Sequence, residues 1–158
     1  MDSPPSSRER RRTSNTIKES LRALSTQLSL LNHQVGVHLD LKDVDFDCLD
    51  IVSRHGPLSP STLARRAGLH PATMTGILDR LERGGWVARD RDPGDRRAVV
   101  VRALRDRAPE VYRLFSGMNS SMDELLAGYD DTQLELLADF LGRVTEAGRA
   151  ATDELAGE

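Results

Sequence analysis

Residues 63–102 read LARRAGLHPATMTGILDRLERGGWVARDRDPGDRRAVVVR, and within this stretch a helical apolar period gives way to two short strand-like runs. Just upstream, Ser59-Pro60-Ser61-Thr62 places a capping hydroxyl before a proline at the first helical position, where no intrahelical N–H is needed. The short helix so begun carries Leu63, Ala64 and Ala67 and breaks at Gly68. The device then repeats, with His70 preceding Pro71 and a helix running to Arg83 whose inner face is Met74, Ile77, Leu78 and Leu81. Gly84-Gly85 ends it. Two helices around a Gly-containing turn are a helix-turn-helix candidate, a signal of modest specificity by itself. The adjoining residues sharpen it: Trp86–Arg89 and Ala98–Val101 are β-type runs flanking Asp90–Arg97, a charged segment whose Pro93-Gly94 pair reverses the chain. The expectation is a β-hairpin with a basic tip, a wing.

Outward from this module the period is helical again. Ile17, Leu21, Leu24, Leu28, Leu31 and Val35 recur at intervals of three and four, which predicts one long helix over 14–38. A further helix is expected from Asp43 to Arg54, with Val44, Cys48, Leu49 and Val52 inward and a stop at His55-Gly56-Pro57. Past Arg105, Val111, Leu114, Phe115, Met118, Met122 and Leu125 form one stripe, and Leu134, Leu137, Leu141, Val144, Gly148, Ala151 and Leu155 another. Residues 1–13, rich in Ser, Pro and Arg, are expected to be a disordered basic arm. The fold class is therefore mainly α: a winged helix-turn-helix over 43–105, with a small β-hairpin wing, between long N-terminal (14–38) and C-terminal (106–158) dimerisation helices.

Composition bounds the function. The chain has 158 residues, with 4% aromatic and 30% charged side chains, enough to fold as one domain unaided. A single cysteine, Cys48, excludes an internal disulfide framework and a multi-cysteine zinc site. No apolar run suits export or a membrane span, so a cytoplasmic protein is expected. Net charge is -3, yet from Arg54 to Arg105 eleven arginines face five acids, a local balance of +6 that leaves -9 to the rest. That asymmetry suits a basic footprint on one module with acidic flanks.

A helix in a major groove needs a positively polarised N-terminus near phosphate and short polar side chains at base edges. With its apolar stripe inward, the 71–83 helix would present Ala72, Thr73, Thr75, Gly76 and Arg80. Gly76 is unusual there, since an interior glycine costs a helix about 1 kcal/mol against alanine. In the hairpin, Asp95 and Arg97 are two apart; if strand-like, they share a side, so Asp95 could orient Arg97 for a minor groove while Arg91 and Arg96 meet phosphates.

These residues carry a resemblance. The run 63–102, and above all LDRLERGGWVAR and DPGDRRAVVV, resembles the MarR family of bacterial transcriptional regulators. The resemblance implies a homodimer whose N- and C-terminal helices interlock and present two winged modules to a palindromic double-stranded DNA operator. It also implies a small-molecule effector pocket where the dimer helices meet the DNA-binding module, and more often repression than activation. Asp95 and Arg97 match the family's wing signature, and Asp79 matches a recognition-helix acid that pairs with a wing arginine. Gly76 departs from the larger or charged residue common at its position.

Other chemistry is weaker. Cys48 would allow a thiol-based redox sensor, but its helical position suits a small buried hydrophobe. His33, His38, His55 and His70 lack the i, i+4 spacing of a helical metal site, so no metal or other cofactor is expected. No phosphate loop or nucleophile–base pair points to an enzyme. The rival to DNA binding is a winged module turned to protein interaction, which would not need a basic wing tip.

Overall fold

The computed structural model describes residues 6–95 and 97–157. Its six helices and one hairpin run in the order α1 (Ser7–His38), α2 (Asp43–His55), α3 (Pro60–Arg66), α4 (Pro71–Arg83), β1 (Val87–Arg91), β2 (Val99–Ala103), α5 (Ala108–Leu126) and α6 (Asp131–Ala156). The first helix corrects the expected arm: residues 7–13 are helical, and the rest of the arm, apart from Ser6, lies outside the described residues. Ser6 and Glu9 form a capping box in which the Ser6 hydroxyl accepts from the Glu9 N–H and Glu9 accepts from the Ser6 N–H. Arginine is a good helix former, so once capped the run Arg10–Arg12 continues the helix at little cost.

The core lies within the winged module. Cys48, Leu49 and Val52 of α2, Leu63 and Ala64 of α3, the α4 stripe, and Trp86, Val87 and Val101 of the hairpin are all buried. Only Val35 and Gly36 of α1 are buried, and no residue of α5 is. Phe46 stacks on Phe115, ring centroids 6.3 Å apart, and so ties α5 to α2.

Both prolines expected at helix starts are there. The Ser59 hydroxyl accepts from the Thr62 N–H at 3.2 Å, and the His70 ring Nδ1 accepts from the Ala72 N–H at 3.2 Å. Gly68, at φ +64°, makes the left-handed turn between α3 and α4 that a Cβ would strain. Strands β1 and β2 pair antiparallel with Val87 opposite Ala103 and Arg91 opposite Val99. Both lie slightly further along the chain than the sequence suggested. Leu58 adds a short third rung by exchanging two backbone hydrogen bonds with Val101, 2.7 and 3.0 Å.

Candidate nucleic-acid interface

Helix α4 places its first turns in the open. Ala72, Thr73, Thr75 and Gly76 are all exposed, while Met74, Ile77, Leu78 and Leu81 are sealed beneath them. This arrangement comes from the 3.6-residue period, and it leaves short polar side chains beside the free N–H groups of the helix start. Arg80, expected on the same open face, is turned toward α2. Its Nε donates to Asp45 Oδ2 at 2.8 Å and its Nη2 to Asp45 Oδ1 at 2.7 Å.

Asp45 is only 2% exposed, against 36% for the Arg80 side chain. The pairing holds the Arg80 pKa above its ordinary value, chiefly through the hydrogen bonds. A buried carboxylate left without its cation is costly. Here the loss falls toward the low end of the usual range of roughly 3–5 kcal/mol, because the outer edge of Arg80 remains in water. Sequence reasoning missed Asp45, though a signal was present: with Cys48, Leu49 and Val52 it lies at i, i+3, i+4 and i+7, an acid on a buried stripe.

The other flank of α4 holds the wing. Arg89 of β1 donates from Nη2 to Asp79 at 2.7 Å and from Nε to Glu82 at 3.0 Å, and its N–H donates to Glu82 at 3.1 Å. The acid-to-wing pairing expected of Asp79 is thus present, with Glu82 as an unforeseen second acceptor. Hydrogen bonds from Arg89 hold the Glu82 carboxyl below its ordinary pKa. At the base, Gly84 lies so close to Trp86 that a Cβ would fall 2.8 Å from the indole Cδ1. Arg107 lies over that indole, 3.8 Å from the ring centroid, donates to the Gly84 carbonyl and forks onto Glu110.

The wing tip departs from expectation. Asp95 and Arg97 lie in the turn between the strands, and the Asp95 carboxylate accepts from the Arg97 backbone N–H at 2.9 Å, not from its guanidinium. Asp92 does similar work, accepting from the N–H groups of Gly94 and Asp95. The reason is local: short carboxylates in a Pro-Gly turn satisfy nearby amides before they can reach a distant cation. Asp95 therefore shapes the loop, and the exposed Arg97 side chain has no ion pair among the described residues. Arg91 is exposed at the end of β1, and Arg96 lies outside the described residues.

Two further features lie around α2. A cavity of about 210 Å³ lies between α1 and α2, lined by Ser29, Asn32, His33, Asp43, Phe46 and Asp47. Across it His33 Nδ1 meets Asp43 Oδ1 at 2.8 Å, and burial, then the neighbouring Asp43 and Asp50, raises the Asp47 pKa. Cys48 is fully buried, its thiol pushed up to about 11 by burial and by Asp47 and Asp45. So little thiolate at neutral pH does not favour a redox sensor.

Comparison with known proteins fits this architecture. The family model described as MarR family matches residues 41–99. The chain is 32% identical over 131 residues to the uncharacterized HTH-type transcriptional regulator YcgE of Bacillus subtilis, across 83% of this chain and 85% of that protein. It is 33% identical over 114 residues to the HTH-type transcriptional repressor NicR of Pseudomonas putida, across 68% of this chain and 71% of that one. Among solved structures, a MarR family protein from Bacillus stearothermophilus superposes with a TM-score of 0.65 at 21% identity, covering 87% of this chain and 96% of that one. Wild-type MarR from E. coli in its apo form gives 0.55 at 20% identity, covering 91% and 98%. With the helix-turn-helix, the clasped wing and a relative this similar over most of both chains, the protein belongs to the MarR family of transcription regulators.

Proposed function

We propose that this chain is a homodimeric, ligand-responsive repressor that binds a palindromic double-stranded DNA operator in the cytoplasm. The observation that carries the reading is the pairing of an exposed polar face on α4 with a wing clasped rigidly to that helix by Arg89. In it, Ala72, Thr73, Thr75 and Gly76 face the major groove, joined by the outer edge of Arg80 that Asp45 leaves open, while Arg91, Asp95, Arg96 and Arg97 form the wing contact, Asp95 by shaping the loop. Residues 14–38 and 106–158 supply the dimer. No helix among the described residues is long and apolar enough to cross a membrane.

The cavity between α1 and α2 is the proposed effector site. Its Asp43, Asp47, Asn32 and His33 suit a small ligand rich in hydrogen-bond donors. A ligand there presses on α2, which packs beneath α4, and so can change the spacing of the two recognition helices of a dimer. The names of relatives such as NicR favour repression over activation.

The test is electrostatic. A module with a local excess of +6 that touches several phosphates per subunit releases condensed counterions on binding. Affinity for duplex DNA should fall on the order of 10³-fold or more between about 50 and 200 mM salt. A flat salt response would instead support a winged module used on protein.

A further inference from the structure

We infer that Asp45 is a positioning residue that turns Arg80 into a fixed reader of a guanine in each operator half-site. The inference rests on the DNA-binding reading above and adds the base and the buried residue that selects it. A guanidinium carries two usable forks. The side fork, Nε with Nη2, is taken by the two oxygens of Asp45 at 2.8 and 2.7 Å. The end fork, one N–H each from Nη1 and Nη2, remains, and among the described residues no acceptor engages Nη1. An arginine end fork matches guanine O6 and N7.

The surroundings agree with this use. Thr73 and Gly76 lie on the exposed edge of α4, and the half-buried Arg80 follows them at helical spacing. Nη1 lies back over Gly76, 3.5 Å from where a Cβ would sit, so the free end of the guanidinium lies beside the exposed Gly76. A larger side chain at 76 would cover it, which gives the unexpected glycine a purpose. Asp45 is rigid because it is buried in the core of α2, and its two oxygens fix the plane of the guanidinium. Guanine offers two coplanar acceptors and gains much from such fixing. Phosphate also takes an arginine fork but carries no sequence information, so only the base preference separates the two.

The experiment enriches a pool of random-sequence duplexes on the full-length protein and on its Asp45→Asn, Arg80→Lys and Thr75→Ala variants, with thermal unfolding followed in parallel. The parent should enrich a palindrome holding a guanine in each half-site, preferred over the other bases by roughly tenfold or more. Asp45→Asn should flatten the preference at that guanine alone, and Arg80→Lys should do the same because an ammonium has no fork. Should Asp45→Asn fail to fold, Arg80→Lys decides. Thr75→Ala should alter a different position and leave the guanine in place. Unchanged guanine preference in folded Asp45→Asn or Arg80→Lys protein would overturn the inference. So would an equal weakening on every sequence, which would mark Arg80 as a phosphate clamp. If the parent enriches no sequence while still binding duplex DNA with a steep salt response, this inference fails and the DNA-binding reading survives. No binding to any duplex fails both.

Discussion

On the proposed DNA-binding reading, Thr75 and Arg97 divide the work of recognition between base edge and backbone, and single substitutions test the division. Thr75 is exposed one turn into α4, so Thr75→Ala should cost about 1–3 kcal/mol on the preferred site and little on random DNA. Arg97→Ala removes a cation from the wing tip and should weaken binding on most sequences, with the largest loss where an A·T-rich flank narrows the minor groove. Asp95→Ala should also weaken binding, here by loosening the Arg97 amide that Asp95 holds instead of freeing a guanidinium. Fluorescence titrations against the enriched site, a flank-altered site and random duplex check all three; an Arg97→Ala protein binding each as tightly as the parent would remove the wing from the interface. Cys48 gives a second measurement at this scale. With its thiol near 11 and buried, alkylation of the native protein by iodoacetamide at pH 8 should run at least on the order of 100-fold slower than in denaturant. The sign of the linkage is fixed too: an acid whose folded pKa is raised above its ordinary 9.0 leaves stability untouched below about pH 9 and lowers it as pH climbs toward 11. Rapid labelling of folded protein at pH 8 would return Cys48 to the ranks of reactive thiols.

Elements were legible where punctuation and period agreed. The Ser59-Pro60 and His70-Pro71 starts, the Gly68 turn and the Gly84-Gly85 stop were each readable because a proline or glycine can satisfy only a few backbone geometries. The hairpin was legible too, although its strands run to Arg91 and Ala103, past the apolar runs, because pairing continues through charged residues whose side chains meet diagonally across the strands, as Arg102 donates to Asp90 at 2.9 Å. The start of α1 was missed for a related reason: four arginines look like a tail, yet the capping box at Ser6 and Glu9 turns a soluble run into a helix. Cross-element pairs were the hardest. Arg80 with Asp45 and Arg89 with Glu82 join residues 35 and 7 apart, and nothing in the spacing of one element announces the acid it will meet in another. Of the candidate interface, then, the exposed face of α4 was readable, and the buried acid that orients Arg80 and the backbone contact of Asp95 in the wing turn were not.

At the scale of the whole molecule, the winged module buries its own core while the long helices do not. Ile17, Leu24 and Leu28 on α1, Met122 on α5, and Phe140, Leu141 and Val144 on α6 are all more than a third exposed. Apolar surface repeated along three helices at helical spacing is more than a single chain normally leaves to water, and it is of the kind that a dimer interface of roughly 1,600 Å² covers. Leu137 is half-buried and Leu141 is 47% exposed one turn further on, so both sit on the stripe that a second subunit should cover. Replacing both with aspartate costs the single chain little, because Leu141 already meets water and the core of the winged module lies elsewhere. In a dimer the same change buries unpaired charge twice over, once per subunit. Sedimentation should therefore show the parent as a dimer at micromolar concentration and the Leu137→Asp, Leu141→Asp protein as a monomer, with the fluorescence of buried Trp86 unchanged to confirm that the module is intact. The monomer should also lose affinity for a two-half-site palindrome far more than for a single half-site, since the second module no longer binds in the same event. A parent that sediments as a monomer, or a double variant that stays dimeric, would overturn this assembly.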